Sequence, residues 1–445
     1  MRLLMLGKWY VLFVLVAGAA PAQHVETTLE VGRGPVALAF DSVQARLYVA
    51  NQNSNSVSVV DAARNQVIAT IPVGDHPTDI VVNPSLQKAY VCCAPVSGGN
   101  GSVYIINTAN NSIIDSVQVG QSPHRMVWDR TDNLIFVLNR LDPSLSVIDC
   151  NSNQVVDQRR LIQVPEDILW NSISNKIYVT SGYYMQPGRV FIIDAATRES
   201  LAVVASGQDG YRLAFNPVQN RVYSGNKGNR SVTIIDGQTN SVIRTTFAPS
   251  EPWAMAWVPE PFNKLFVGNY WKATTSIMRG NEVTFFKEFA GTTNPYCFAY
   301  NPRTLKLFCA CYLVGRVAVI DVRDGHEDVH DSITVGNGPA AIAVYQDSNR
   351  IFIANSWDST LTVLRDYIGI EEQNGASGRW SRQLPTFVRG MLELPANAPA
   401  LVLFDQTGRS MAKLVPGVND LSRVPAGVYF ACPESRGERF RLVLK

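Results

Sequence analysis

Short apolar runs alternate with polar turns along this chain, and the runs come in fours. The first clear set opens at Pro35: an apolar stretch to Phe40, then Arg46–Asn51, then 57–61, then 67–74. Gly, Asn, Asp or Pro bounds each run, which is the pattern of strands between turns. The opening turn returns at Pro77, Pro123, Pro165, Gly210, Pro252, Pro295 and Pro339, a period of 42 to 46 residues. Thirteen residues past the opening lies an aromatic: Tyr48, Tyr90, Phe136, Tyr178, Tyr223, Phe308 and Phe352, with Phe266 at fourteen in the unit of Pro252. A period of this length with four strand candidates per unit predicts an array of small four-stranded sheets.

The first strand of each unit shows how the sheets must pack. Three residues past the opening stand Leu38, Ile80, Met126, Ile168, Leu213, Met255, Phe298 and Ile342. Five past it, large side chains recur, among them Phe40, Trp128, Trp170, Phe215, Trp257 and Tyr300. The face between them is often small: Ala39, Ala214, Ala256, Ala299 and Ala343. One such sheet cannot cover both of its faces, whereas sheets stacked around an axis can. The expected fold class is all-β, an eight-bladed β-propeller over residues 25–366 followed by a small C-terminal β-sandwich-like domain. The eighth unit has only three strands, near 340–344, 350–354 and 360–364. Residues 26–32 supply the fourth, because Val31 and Gly32 precede Pro35 as Val73 and Gly74 precede Pro77. A seven-bladed ring with one degenerate unit outside it is the alternative.

Composition narrows the class. Of 445 residues, 46% are hydrophobic and 17% charged, and 39 basic against 37 acidic side chains leave a net charge of +2. No basic stripe invites nucleic acid. Residues 1–22 read as a signal peptide: Arg2 and Lys8, an apolar core over 10–20, then Ala-Pro-Ala-Gln. That core is too short to span a bilayer permanently, although a retained anchor is the alternative. The mature chain is expected to be exported, to lack an integral membrane segment and to be a monomer. Its place would be extracellular or on the outer-membrane surface, or else periplasmic. The seven cysteines are odd in number. Cys92 and Cys93 adjoin, so in a strand they point to opposite faces. They read as small buried hydrophobes, and no spacing marks a metal site or a cofactor.

Leu47-Tyr48-Val49-Ala50-Asn51 and Val57-Ser58-Val59-Val60-Asp61 resemble the YVTN-type repeat of surface-layer and YncE-like β-propellers. The resemblance covers 25–366 and implies a secreted or surface-exposed propeller, mostly non-enzymatic. Residues 367–382 are polar and glycine-containing, as a linker is. In 383–445, strand candidates lie at 400–404, 428–431 and 439–444. Leu403-Phe404-Asp405-Gln406-Thr407-Gly408-Arg409, Pro425-Ala426-Gly427-Val428-Tyr429-Phe430 and Arg441-Leu442-Val443-Leu444-Lys445 resemble the type A C-terminal sorting domain of the type IX secretion system. That resemblance implies the secretion machinery as a partner. A plain accessory β-domain is the alternative.

A function is expected on the face where the loops leading into the first strands crowd the axis. Those loops vary more than a scaffold requires. Units two to seven carry His76, His124, Arg125, Glu166, Asp167, Asp209, Tyr211, Arg212, Glu251, Trp253, Asn294 and Tyr296, whereas units one and eight carry small groups. The loops after the second strands add Tyr183, Tyr184, Tyr270, Trp271 and Trp357. Aromatics beside acids, amides and arginine suit a glycan, a peptide or another small polar ligand. The expected role is a non-catalytic binding module for such a ligand or a surface protein. A ligand-free surface scaffold and a hydrolase or lactonase-like propeller are the alternatives. No nucleophile elbow or metal-ligand spacing nominates a catalytic residue.

Overall fold

The computed structural model describes residues 23–182, 186–280 and 282–366, and in the C-terminal part 387–388, 391–394, 400–404, 409–415, 417–421, 424–425, 427–433 and 440–444. The expected signal peptide 1–22, the expected linker 367–382 and the loop aromatics Tyr183 and Tyr184 lie outside the described residues. The chain divides into two compact units, Met1–Ile368 and Gly369–Lys445.

The first unit is an eight-bladed β-propeller. Strand β1 (Gln23–Glu30) precedes the first blade, which consists of β2 (Pro35–Asp41), β3 (Arg46–Asn51), β4 (Ser56–Asp61) and β5 (Gln66–Pro72), paired in chain order. Six further antiparallel sheets open at Pro77, Pro123, Pro165, Gly210, Pro252 and Pro295 with the same order. The eighth combines Pro339–Tyr345, Arg350–Asn355 and Thr360–Asp366 with β1 as its outermost strand. Thr27 lies opposite Val363 and Leu29 opposite Leu361. All eight units stand in the ring, so the seven-bladed alternative is excluded. Each first strand packs beside those of its two neighbours, and β2 beside Pro339–Tyr345 completes the circle.

The periodic aromatics are the centre of the blade-to-blade core. Tyr48, Tyr90, Phe136, Tyr178, Tyr223, Phe266, Phe308 and Phe352 are all fully buried. Between blades one and two, Tyr48, Ala50 and Val59 meet Ile80, Val82 and Val91. At the closing seam, Leu47, Val49 and Val60 meet Phe352, Leu361 and Val363. Burying each large side chain contributes about 1.5–3 kcal/mol against the entropy of ordering the chain.

A polar clasp repeats over this core. The base that starts the second strand reaches the end of the third strand in the next blade. Lys88 Nζ donates to the Cys150 carbonyl at 2.6 Å, Lys176 Nζ to Gly237 at 2.7 Å, and Arg221 Nη1 to Gly280 at 2.8 Å. Arg46 bonds the Thr108 carbonyl, and Lys264 the Val322 carbonyl at 2.9 Å. Arg350 Nη1 closes the circle on Ala62 in blade one at 2.9 Å. The buried tyrosines back this clasp, with Tyr90 Oη donating to Cys150 at 3.4 Å and Tyr223 Oη to Gly280 at 3.5 Å. Carbonyls left beyond a strand end are thereby satisfied inside the ring.

Cys92, Cys93, Cys150, Cys297, Cys309 and Cys311 are free thiols, and all but Cys297 are fully buried. Burial pushes the Cys93 thiol up to about 12. The thiolate is the reactive form, so this side chain behaves as a small hydrophobe. No helix among the described residues is long and apolar enough to cross a membrane.

The second unit is a small β-domain. A five-stranded sheet runs in the order Phe387–Val388, Phe440–Leu444, Gly427–Pro433, Leu401–Phe404, Ser410–Leu414. Met391–Leu394 pairs separately with Gly417–Asp420. Alternation along Leu401–Phe404 buries Leu401 and Leu403 and leaves Val402 and Phe404 half-buried.

Candidate functional site

A bulge at the head of every blade prepares the axial site. In blade three, Pro123 pairs with Asn139 and Arg125 with Leu138, so His124 has no partner across the ladder. The same slip occurs in the other seven blades. An unslipped strand would send consecutive side chains to opposite faces, whereas a bulge re-aims them. Just before it, Gly34, His76, Ser122, Asp209, Asn294 and Gly338 hold φ between 48° and 65°. Those are left-handed positions that favour Gly, Asn, Asp and His. Each blade then ties the end of its second strand to this turn. Arg140 N–H donates to the Ser122 carbonyl at 3.0 Å, Lys227 to Asp209 at 3.0 Å, and Tyr312 to Asn294 at 3.2 Å.

These devices enclose an axial cavity of about 920 Å³. The residues two past each opening line it: Ala37, Asp79, Arg125, Asp167, Arg212, Ala254, Cys297 and Ala341. Four consecutive blades thus alternate acid and base, and the other four are small and uncharged. Much of the rest of the lining follows the same division, although Gln52, Tyr296, Tyr312 and Ser356 bring polar groups to blades one, seven and eight. Thr78, His124, Arg140, Glu166, Asp209 and Lys227 stand on the charged side. Val36, Leu38, Met255, Phe298, Ala340 and Ile342 stand on the apolar side.

Burial shapes the charged side. It drives the His124 imidazole down to about 3, helped by the charges of Arg125 and Arg140, so the ring is neutral at ordinary pH. His124 Nε2 donates to the Glu166 carbonyl at 3.2 Å. Burial pushes the Glu166 carboxyl up, opposed by Arg140, whose Nη2 donates to Oε1 at 2.9 Å. It pushes Asp79 up as well, against the charge of Arg125. Burial lowers Lys227, opposed by Glu166, Asp209 and Glu251. The Lys227 ammonium lies 3.6 Å from the centre of the Tyr211 ring and 4.8 Å from that of Trp253, both in cation–π range.

From Tyr211 an arc of aromatic rings follows the rim. Tyr211 meets Trp253 at 5.1 Å between ring centres, and Trp253 stacks on Tyr270 at 4.4 Å. Trp253 also approaches Tyr296 at 6.4 Å, Tyr296 stacks on Tyr312 at 4.7 Å, and Tyr312 meets Trp357 edge-on at 5.0 Å. Glu251 fixes two of these rings, since its Oε2 accepts from Trp253 Nε1 at 3.0 Å and from Trp271 Nε1 at 3.1 Å. Trp271 and Trp357 remain 65% and 57% exposed at the mouth, which makes them available to a ligand.

No family model matches the chain, and no curated protein does. The fold has solved counterparts. A chain of the hydrazine synthase of Kuenenia stuttgartiensis superposes with a TM-score of 0.53 at 16% identity, over 79% of this chain and 100% of that one. Identity this low establishes a shared propeller fold and nothing about chemistry.

Of the residues expected at the site, His124, Arg125, Glu166, Asp167, Asp209, Tyr211, Arg212 and Tyr296 line the cavity. Glu251, Trp253, Tyr270, Trp271 and Trp357 stand on the rim and not in the lining. His76 and Asn294 are outside the lining too, although Asp209 at the same turn position lines it. His76 is left-handed, with its N–H on Asn55 Oδ1 at 3.0 Å. Asn294 is left-handed and donates from Nδ2 to the Tyr270 carbonyl at 3.4 Å. Sequence reasoning missed Asp79, Arg140, Lys227 and Tyr312. Asp79 shares a repeat position with Arg125, Asp167 and Arg212. The other three are each the first residue after a second strand, so aligning the repeats by column would have found all four.

Proposed function

We propose that this chain is an exported, non-catalytic binding module that holds a small ligand in its axial cavity. The observation that carries the reading is the division of that cavity into a charged half on blades two to five and an apolar half on blades six, seven, eight and one. A ring serving only as a scaffold needs no such asymmetry, because its blades meet the same packing demand. The volume suits a drug-sized ligand, and convergent polar groups facing an apolar patch can fix the orientation of one. We further read the repeat as YVTN-type, residues 1–22 as a signal peptide, and 383–445 as a type IX sorting domain that addresses the propeller to the cell surface.

The test is calorimetric titration with oligosaccharides, short peptides, organic acids and amines. At least one class should bind the parent chain. The double variant Tyr211→Ala/Trp253→Ala should bind it about tenfold more weakly or worse, since aromatic contacts of this kind contribute about 0.5–1.5 kcal/mol each beyond area burial. Equal affinity in the double variant would move the ligand off the axis, and a panel without a binder would favour the scaffold.

A further inference from the structure

The acids and the bases of the axial cavity differ in what they are bonded to. Asp79 Oδ1 accepts the Ile80 N–H at 2.9 Å, and Oδ2 accepts the Met126 N–H of the next blade at 2.8 Å. Asp167 Oδ2 likewise accepts the Leu213 N–H of the next blade at 2.9 Å. Both carboxylates thus fasten one blade to the next. The two arginines make no equivalent bond. Asp167 Oδ1 stands 4.0 Å from Arg125 Nε and 3.9 Å from Arg212 Nη1, beyond hydrogen-bond reach. Neither guanidinium donates a hydrogen bond to any described residue.

A guanidinium carries five N–H donors in a planar fork, and Arg125 and Arg212, with 32% and 15% of their side-chain surface open, present theirs to the cavity. The face of Arg212 is covered, with Cζ 4.6 Å from the Tyr211 ring centre. Its unused donors therefore lie along the edge of the fork. Two such forks flanking Asp167 call for acceptors and offer none. A carboxylate supplies acceptors only, and its two oxygens match this geometry. A sugar brings as many donors as acceptors and would leave the forks half satisfied. Across the cavity stand Ala341, Ile342, Met255 and Phe298, which have no use for a second charged group.

We propose that the axial cavity takes an organic carboxylate with an apolar or aromatic body, its carboxylate bridging Arg125 and Arg212 and its body against the wall of Ala341, Ile342, Met255 and Phe298. This rests on the axial-binding reading and adds the charge and shape of the ligand. Phosphate shares the anionic head but would leave the apolar half without a partner.

The probes are indole-3-acetate, indole-3-acetamide, decanoate, acetate and inorganic phosphate, each titrated by calorimetry at low ionic strength. Indole-3-acetate or decanoate should bind, with the amide, acetate and phosphate each about tenfold weaker or more. Arg125→Gln and Arg212→Gln should each weaken the acid about tenfold and leave the amide unchanged. Arg212→Lys keeps the charge without the fork and should fall between. The unfolding midpoint of each variant shows that it is folded, and Arg212→Lys keeps the test decisive where Arg125→Gln loses structure. Equal binding of acid and amide overturns the anion assignment while leaving the axial site standing. Phosphate binding as tightly as the acids overturns the role of the apolar wall. If neither acid binds, the assignment falls, and the axial reading is then decided by the wider panel and the Tyr211→Ala/Trp253→Ala variant.

Discussion

Deleting Gln23–Glu30 should lower the unfolding midpoint by about 10 °C or more and leave a molecule that self-associates. That strand is the outer edge of blade eight, and nothing else in the ring can replace it. Its removal strips the ladder from Thr360–Asp366 and uncovers the seam where Leu29 and Val31 pack. It also takes Glu26 from Arg350, whose Nε and Nη2 donate to the two carboxylate oxygens at 2.8 and 2.6 Å. Arg350 is simultaneously bonded to the Ala62 and Ala63 carbonyls of blade one, so one guanidinium joins both sides of the seam. Each net hydrogen bond contributes about 0.5–1.5 kcal/mol and each buried aliphatic about 1.5–3 kcal/mol, so the sum exceeds about 5 kcal/mol. The exposed edge of Thr360–Asp366 then becomes a template for another chain. Calorimetry and light scattering check both parts. The same seam is sensitive to acid. The Arg350 hydrogen bond holds the Glu26 carboxyl below its usual value, against partial burial and with help from the charges of Arg350 and Arg365. A carboxylate with a depressed folded pKa contributes stability above its unfolded pKa and loses it as pH falls through the folded one. The contribution is complete above about pH 4.5 and fades below it, and Glu26→Gln should flatten that part of the acid limb.

Glu327→Ala should destabilise the propeller by about 3 kcal/mol, near the low end for breaking a buried ion pair. Lys264 is fully buried, and its ammonium lies 2.6 Å from Glu327 Oε1, itself only 4% exposed. Lys264 Nζ also meets Asp324 Oδ1 at 2.8 Å, which is why the loss stays at the low end. Burial, the largest single influence, works to raise the Glu327 carboxyl, but the hydrogen bonds of Lys264 and Lys287 and the charge of Lys264, together with a backbone hydrogen bond, outweigh it and the group is held low. The cost of the single change comes from leaving the buried ammonium with only the exposed Asp324 and the Val322 carbonyl, and from losing the Lys287 and Gly325 bonds to Glu327. The double change Lys264→Met/Glu327→Leu should therefore recover most of the loss, since apolar groups of similar volume often replace a buried pair without penalty. Urea unfolding of the three variants measures this. A double variant as unstable as Glu327→Ala would show that the site needs its charges for more than mutual neutralisation.

The ring was legible because packing repeats. An aromatic thirteen residues from a turn in seven units, and fourteen in the remaining one, has one geometric use, and all eight side chains are fully buried. Residues 26–32 gave away the closure by their spacing to Pro35. The clasps were visible as residues and not as contacts, since Lys88 and its partner Cys150 are 62 positions apart. The axial site was half legible for a different reason. Asp79 was passed over although Arg125, Asp167 and Arg212, at the same repeat position, were found, because a strict period of two gives no reason to look for neighbouring side chains on one face. The bulge breaks that period, and it leaves no mark in a single unit. His76 and Asn294 stand outside the lining, at a left-handed turn position that selects residue types a binding site also selects. The arginines were found as charges, but that Asp167 is spent on a backbone amide and they are not is a matter of distances.

The most direct test of the axial site is to fill it. Ala341 lines the apolar half and is partly open to the cavity. The tightest binder of the panel should be titrated into Ala341→Trp, with the unfolding midpoint recorded alongside. The account predicts that binding is lost while the midpoint stays close to that of the parent chain. Undiminished affinity in a folded Ala341→Trp protein would contradict it.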